Sequence, residues 1–274
     1  MGEITVNGVN LVYDVRGLDG PPVLLICGTG QPAASWEMFG RPTLDAAGFR
    51  TITFDNRGMP PSDSPPGPYR VEDMAEDAIG LMEHLGLAPY HVAGASLGAL
   101  ITQTVALRRP DLVRSAALVV GGGNFCLAAN IRTKATVAVL RAGGPAADIA
   151  YQAGMLDAML TPAQQRDDAA VQFALDMVEG LFGSWGEPGR LAQMEADVTW
   201  GQDDHLEELA GMRVPCLISA NEHDCFFPPT FLRQAADRIP DCEYLEVPDA
   251  AHVPLDPAAL AKVGDAMVDF FTRH

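Results

Sequence analysis

The chain of 274 residues sets 36 acidic against 18 basic side chains, a formal net charge of −18. Such acidity disfavours the phosphate backbone of nucleic acid and anionic membrane surfaces as partners. With 48% hydrophobic residues there is ample material for a core, and the length suits one large domain or a core with a modest insertion.

The N-terminal stretch MGEITVNGVNLVYDVRG has no basic segment followed by an apolar run, so no signal peptide is expected. Val6 stands where a myristoylation signal needs Ser or Thr, and no stretch approaches a membrane span in length. Residues 3–16 alternate polar and apolar around Asn7-Gly8, the pattern of a hairpin. PPVLLICG and FRTITFDNRG are short continuous apolar runs, as in strands buried on both faces, and residues 36–47 between them predict a helix. VEDMAEDAIGLMEHLG (71–86) predicts a helix closed by Gly86. YHVAGAS reads as a strand, LGALITQTVALRRP as a helix stopped by Pro110, and SAALVVGGG as the next strand.

A hairpin followed by alternating strands and helices implies a mostly parallel sheet with helices on both faces. After Gly123 that rhythm breaks. Residues 124–207 are rich in Ala, Met, Gln and Asp with helical periodicity, and predict a helical cap broken at Gly143-Gly144-Pro145 and Thr161-Pro162. The rhythm resumes at VPCLISA, with a helix near 229–238, a strand at CEYLEVP and a final helix near 257–272. The expected architecture is an α/β core, residues 1–123 and 208–274, with an eight-stranded, mostly parallel sheet and a helical cap over 124–207.

The central motif is Gly94-Ala95-Ser96-Leu97-Gly98, between an apolar strand and a helix beginning near Leu97. That is the setting of a nucleophile elbow: a turn so sharp that small residues must flank the serine, whose oxygen then stands at a helix N-terminus. A serine hydroxyl needs a base. His84 lies inside a helix, His91 at the wrong edge of the sheet, His205 in the cap and His274 at the terminus. His252, in VPDAAHVPLDP, follows the last predicted strand at the carboxyl edge, where open sheets hold their ligands. The orienting acid should lie between the two in sequence. ISANEHDCFFPP offers Glu222 and Asp224, and Asp224 has the better distance from the strand end; Asp249 lies too near His252. The amides of Leu97 and Thr29, the latter in Cys27-Gly28-Thr29-Gly30, are the candidate oxyanion donors.

These residues carry a resemblance that covers nearly the whole chain outside the cap. GASLGALITQTVALRRPDLVRSAALV, with AEDAIGLMEHLGL before it, resembles the α/β-hydrolase fold family, in its enol-lactonase, cofactor-free haloperoxidase and esterase branch. LLICGTGQPAASWEMF is similar to the family's strand and loop ending in His-Gly, with Cys27 in place of the histidine. FDNRGMPPSDSPPGPY is similar to the family's Asp-x-Arg-Gly-x-Gly-x-Ser turn, which makes Asp55, Arg57 and Ser62 scaffold. GASLGALITQTVAL with VVGGGNF also resembles methylesterases that tailor aromatic polyketides. Members that cleave carbon–halogen bonds or epoxides carry an aspartate at the elbow, so Ser96 disfavours both chemistries.

The resemblance implies a serine hydrolase acting on an ester, thioester or lactone of a small, largely apolar metabolite. Carbon–carbon bond hydrolysis and perhydrolysis could use the same residues, and a receptor-like binding protein or a non-hydrolytic tailoring protein could use the same fold. Trp36, Phe125, Phe173, Met177, Phe182, Trp185 and Trp200 are candidates for an apolar pocket. The chain shows no phosphate-cradling loop and no metal-ligand spacing, so no cofactor and no metal are expected, only a small-molecule substrate. The five cysteines, Cys27, Cys126, Cys216, Cys225 and Cys242, lack any CxxC spacing and read as reduced thiols of a cytoplasmic protein. The oligomeric state is not legible; a homodimer is one option.

Overall fold

Asn7 and Gly8, at φ 49° and 75°, close the first hairpin. A two-residue turn between twisted strands requires such a left-handed pair. β1 (Gly2–Val6) thereby pairs antiparallel with β2 (Val9–Arg16). The computed structural model describes residues 1–179 and 188–274. After the hairpin come β3 (Pro22–Ile26), α1 (Trp36–Phe39), α2 (Arg41–Ala46), β4 (Arg50–Phe54), α3 (Val71–Leu85), β5 (Tyr90–Ala95), α4 (Leu97–Arg108) and β6 (Val113–Val119). Among the described residues α5 (Leu127–Ala142), α6 (Pro145–Met159), α7 (Asp168–Met177), α8 (Pro188–Trp200) and α9 (Leu206–Leu209) follow. The chain closes with β7 (Cys216–His223), α10 (Pro229–Arg238), β8 (Cys242–Ala251) and α11 (Pro257–Arg273).

The strands form one eight-stranded sheet in the order β1-β2-β4-β3-β5-β6-β7-β8. β2 runs antiparallel to both its neighbours, and every other pairing is parallel. The expected eight-stranded, mostly parallel sheet is thus the observed one. Period-2 alternation on fully buried strands sends side chains to two cores. On β3, Leu24 and Ile26 enter the cluster beneath α3, α4 and α10, while Val23 and Leu25 enter the one beneath α1, α2 and α11. α4 is buried from Leu97 through Ala106, which is why its apolar residues surround it rather than forming a stripe.

Two details depart from the sequence reading. The expected helix over 36–47 is broken at Gly40, whose φ of 125° is closed to other residues and whose missing Cβ leaves room for Met267 Cε. β7 and β8 also run past the apolar runs that announced them, to His223 and Ala251, because their parallel pairing continues across a register shift to His223↔Ala251. Among the described residues between β6 and β7 there is no strand, and the breaks at Gly143-Gly144 and Thr161-Pro162 fall between helices as the sequence implied. Cap residues Tyr151, Met159, Ala174 and Met194 form a third cluster, while Ala192, Ala196 and Trp200 of α8 join the main core. Among the described residues no helix is long and apolar enough to cross a membrane.

Candidate active site

β5 delivers Ser96 through a turn that only small neighbours permit. Ser96 holds φ 56°, ψ −119°, a strained conformation for a residue with a Cβ, costing about 1–3 kcal/mol. A Cβ on Gly94 would lie 2.0 Å from Gly98 O, and one on Gly98 2.2 Å from Ile26 O. The third wall is Gly121, after β6, where a Cβ would meet Ser96 O at 2.7 Å. The sequence motif announces the first two glycines; the third comes from a neighbouring strand.

His252 follows β8 directly. Its Nε2 lies 3.0 Å from Ser96 Oγ and its Nδ1 2.7 Å from Asp224 Oδ2. Since a carboxylate only accepts, Nδ1 carries the proton and Nε2 is free to accept from the serine. The other oxygen of Asp224 accepts the amides of Phe226 and Phe227, each at 2.8 Å. Asp224 and His252 are both buried, and the rings of Phe226 and Phe227 lie against the imidazole. Asn221 Nδ2 donates to Ala251 O at 2.7 Å, tying the ends of β7 and β8 just before the two residues diverge. Glu222 points elsewhere and accepts the amide of Asp249 at 2.9 Å. That amide belongs to an exposed left-handed residue of β8, at φ 50°. The ends of the paired β7 and β8 bring Glu222, His223 and Asp249 within 4.8 Å of one another, a grouping that sequence spacing did not announce.

The loop after β3 is held from the cap. Gly28 N donates to Gln31 Oε1 at 3.3 Å and Gly30 N to Gln193 Oε1 at 2.7 Å, with Thr29 N–H between them. Gln193 Nε2 also donates to Arg57 O at 2.7 Å, and the Thr29 hydroxyl donates to Asp197 Oδ2 at 2.6 Å. Gln193 and Asp197 stand one turn apart on α8, so a single helical face grips the loop. Neither was singled out from sequence; the signal was two polar residues four apart on a helix whose buried side also carries Ala192, Met194 and Ala196. Cys27, in place of the family's histidine, donates its thiol to Pro32 O at 3.2 Å.

Asp55, Arg57 and Ser62 sit in the scaffold as the resemblance implied. Asp55 accepts Ala33 N at 2.7 Å, Arg57 pairs with Asp77 at 2.6 Å and Ser62 Oγ accepts Val12 N at 2.8 Å. Burial pushes Asp55 up to about 6 and the Cys225 thiol up to about 12.

Ser96 and His252 open into a cavity of about 130 Å³ walled by Phe39, Phe125, Met155, Met194, Phe226 and Leu260, among others. Thr29, Gln31, Asn221 and Asp197 supply polar groups to its lining. Of the aromatic residues proposed from sequence, Phe125 is in this wall. Trp36 is not: it is 1% exposed in the core beneath α1 and α11. Trp200 stacks on His205 at 3.5 Å and donates its indole N–H to Gly123 O, anchoring α8 to the core instead. Met177 packs within the cap cluster, and Phe173 is exposed on the outer face of α7. Phe182 and Trp185 fall outside the described residues. Aromatic character alone does not distinguish a wall from a core; which side of a cap helix faces the sheet decides it.

The sequence profile described as the alpha/beta hydrolase fold matches residues 21–259. The protein of Mycobacterium tuberculosis that carries the name of a non-heme bromoperoxidase, BpoC, is 32% identical over 266 residues, covering 96% of this chain and 98% of its own. The BpoC crystal structure from strain H37Rv superposes with a TM-score of 0.87 at 30% identity, over 100% of this chain and 98% of that one. The enol-lactonase from Burkholderia xenovorans LB400 superposes with a TM-score of 0.81 at 26% identity, over 99% of this chain and 100% of that one. A chain from Azorhizobium caulinodans that carries the name of a carbamate hydrolase, RutD, is 30% identical over 249 residues, 89% of this chain and 88% of its own. The profile match, the sheet order and the elbow agree, and the chain belongs to the α/β-hydrolase fold family, in the same branch as BpoC.

Proposed function

We propose that the protein is a serine hydrolase that cleaves an ester, thioester or lactone of a small, largely apolar metabolite through an acyl-enzyme on Ser96. The observation that carries this reading is the relay from Ser96 Oγ to His252 Nε2 at 3.0 Å and from His252 Nδ1 to Asp224 at 2.7 Å, at the wall of an apolar cavity. Ser96 attacks the carbonyl while His252 takes its proton. Asp224 holds the imidazole in the reactive tautomer and stabilises the imidazolium. The amides of Leu97 and Thr29 receive the oxyanion. His252 then protonates the leaving group and activates the water that releases the acid. The cycle uses no cofactor and no metal. Residues 124–207 act as its cap, the partner is a small molecule rather than nucleic acid or membrane, and the setting is cytoplasmic.

The test uses p-nitrophenyl esters and a fluorophosphonate probe. Ser96→Ala is expected to lower kcat at least about a thousandfold, and the probe to label Ser96 in the folded protein. A wild-type rate in that variant would end the reading, and failure to label folded protein would favour a binding protein. The likeness to BpoC, named as a bromoperoxidase, favours one second reading. Hydrogen peroxide in place of water would attack the same acyl-enzyme and release a peracid while Ser96 regains its proton. Product analysis with and without peroxide separates the two.

A further inference from the structure

Asp197 is a carboxyl in an apolar room. It lines the cavity that holds Ser96 and His252, is 6% exposed, and accepts the Thr29 hydroxyl at 2.6 Å. Among the described lining residues there is no Lys or Arg. The titratable groups it shares the cavity with are His252, after β8, and Tyr151, on α6, whose phenol burial keeps protonated. Thr29 and Gln31 from the loop after β3, and Thr133 from α5, are uncharged. Burial pushes the Asp197 carboxyl up to about 7, with the Thr29 hydrogen bond and the charge of His252 opposing it only in part. A carboxylic acid donates as well as accepts. With Oδ2 taken by Thr29, the other oxygen holds the remaining hydrogen-bonding capacity.

We infer that Asp197 is a specificity-determining binding group for an uncharged oxygen function of the substrate, such as a ketone or second ester carbonyl, so that the cavity takes neutral oxo-acyl compounds in preference to carboxylates. A substrate carboxylate would be desolvated here with no Lys or Arg among the described lining residues to meet it. The inference rests on the cavity being the acyl-substrate site, and its test therefore reads binding rather than turnover.

The Ser96→Ala protein is titrated calorimetrically at pH 5.5 and 8.5 with methyl hexanoate, its 3-, 4- and 5-oxo counterparts, and monomethyl adipate. The same titrations are made with Asp197→Asn and Asp197→Ala added. At pH 5.5 the best-placed oxo ester is expected to bind about tenfold tighter than methyl hexanoate, one good hydrogen bond's worth. At pH 8.5 the advantage shrinks, because an ionised Asp197 cannot donate. With Asp197→Asn it persists at both pH values, since the amide donates throughout, and with Asp197→Ala it disappears. Monomethyl adipate binds more weakly than methyl hexanoate at both. An oxo advantage that is missing, pH-independent in the Ser96→Ala protein, or unchanged by Asp197→Ala overturns the inference. So does an equal loss for all five esters in both variants, which would make Asp197 only a support for Thr29. Oxo-selective binding without turnover by the native protein would instead sink the hydrolase reading alone.

Discussion

Two carboxylates compete for His252 in the sequence, and a few ångströms separate their fates. Asp224 follows β7 directly and is fixed by three acceptor contacts: one to the imidazole and two to the amides of Phe226 and Phe227. Glu222, two residues earlier, instead accepts the amide of Asp249 on β8. Asp224→Asn keeps the shape but offers Nδ1 an N–H donor in place of an acceptor, favouring the unreactive tautomer of His252. It is expected to lower kcat by about ten-thousandfold with KM little changed. Glu222→Gln keeps an acceptor for the Asp249 amide and is expected to leave kcat within about twofold. Steady-state kinetics on one activated ester, with circular dichroism to confirm folding, checks both. A comparable loss in the two variants would show that the assignment of the orienting acid is wrong.

At the scale of elements, α8 is the helix between β6 and β7 that grips the loop carrying Thr29. Its Gln193 is fully buried and makes two 2.7 Å bonds, from Gly30 N and to Arg57 O, so it joins the loop after β3 to the loop after β4. Gln193→Ala would leave both backbone groups without that partner and open a cavity, at a cost of about 2–4 kcal/mol in unfolding free energy. If Thr29 N–H serves the oxyanion, the loosened loop should also slow fluorophosphonate labelling of Ser96 about tenfold. Urea unfolding and labelling rates measured on the same samples test this. An unchanged labelling rate in the destabilised variant would mean that the loop keeps its shape without α8.

For the whole molecule, the buried histidine that takes no part in the site has the clearest consequence. His91 on β5 lies against Phe49 and Phe271, with Nδ1 2.8 Å from Ser115 Oγ. Burial holds its pKa down to about 4. Between about pH 6.5 and 4 the unfolded chain therefore binds a proton that the native state refuses. The contribution of His91 is full above about 6.5 and declines as pH falls, by about 3 kcal/mol in total. Asp55 and Asp197 act in the opposite sense. Their raised values, about 6 and about 7, let the native state hold protons that the unfolded chain has released, so their contribution declines as pH rises from about 4 towards 7. His91→Phe is expected to lose about 2–3 kcal/mol less stability than wild type between pH 6.5 and 4.5, whatever its absolute stability. Urea-unfolding free energies at the two pH values give the answer, and identical losses would remove His91 from the acid limb.

The sequence by itself determined the sheet, the elbow and the two residues that follow the last strands. These are local matters. Buried parallel strands need continuous apolar runs, a strand-to-helix turn around Ser96 needs Gly94 and Gly98, and residues at the carboxyl ends of parallel strands share one edge. What only the tertiary structure decided depends on orientation between elements far apart in the chain. It placed Gly121 against Ser96, set Asp224 on His252 while Glu222 met the Asp249 amide, and put Trp36 in the core while Phe125 reached the cavity. It also turned one face of α8 so that Gln193 and Asp197 meet the loop carrying Thr29, a contact spanning more than 160 residues. No periodicity encodes that meeting, because it is set by how a cap helix settles on a sheet edge, where packing and buried hydrogen bonds are satisfied together.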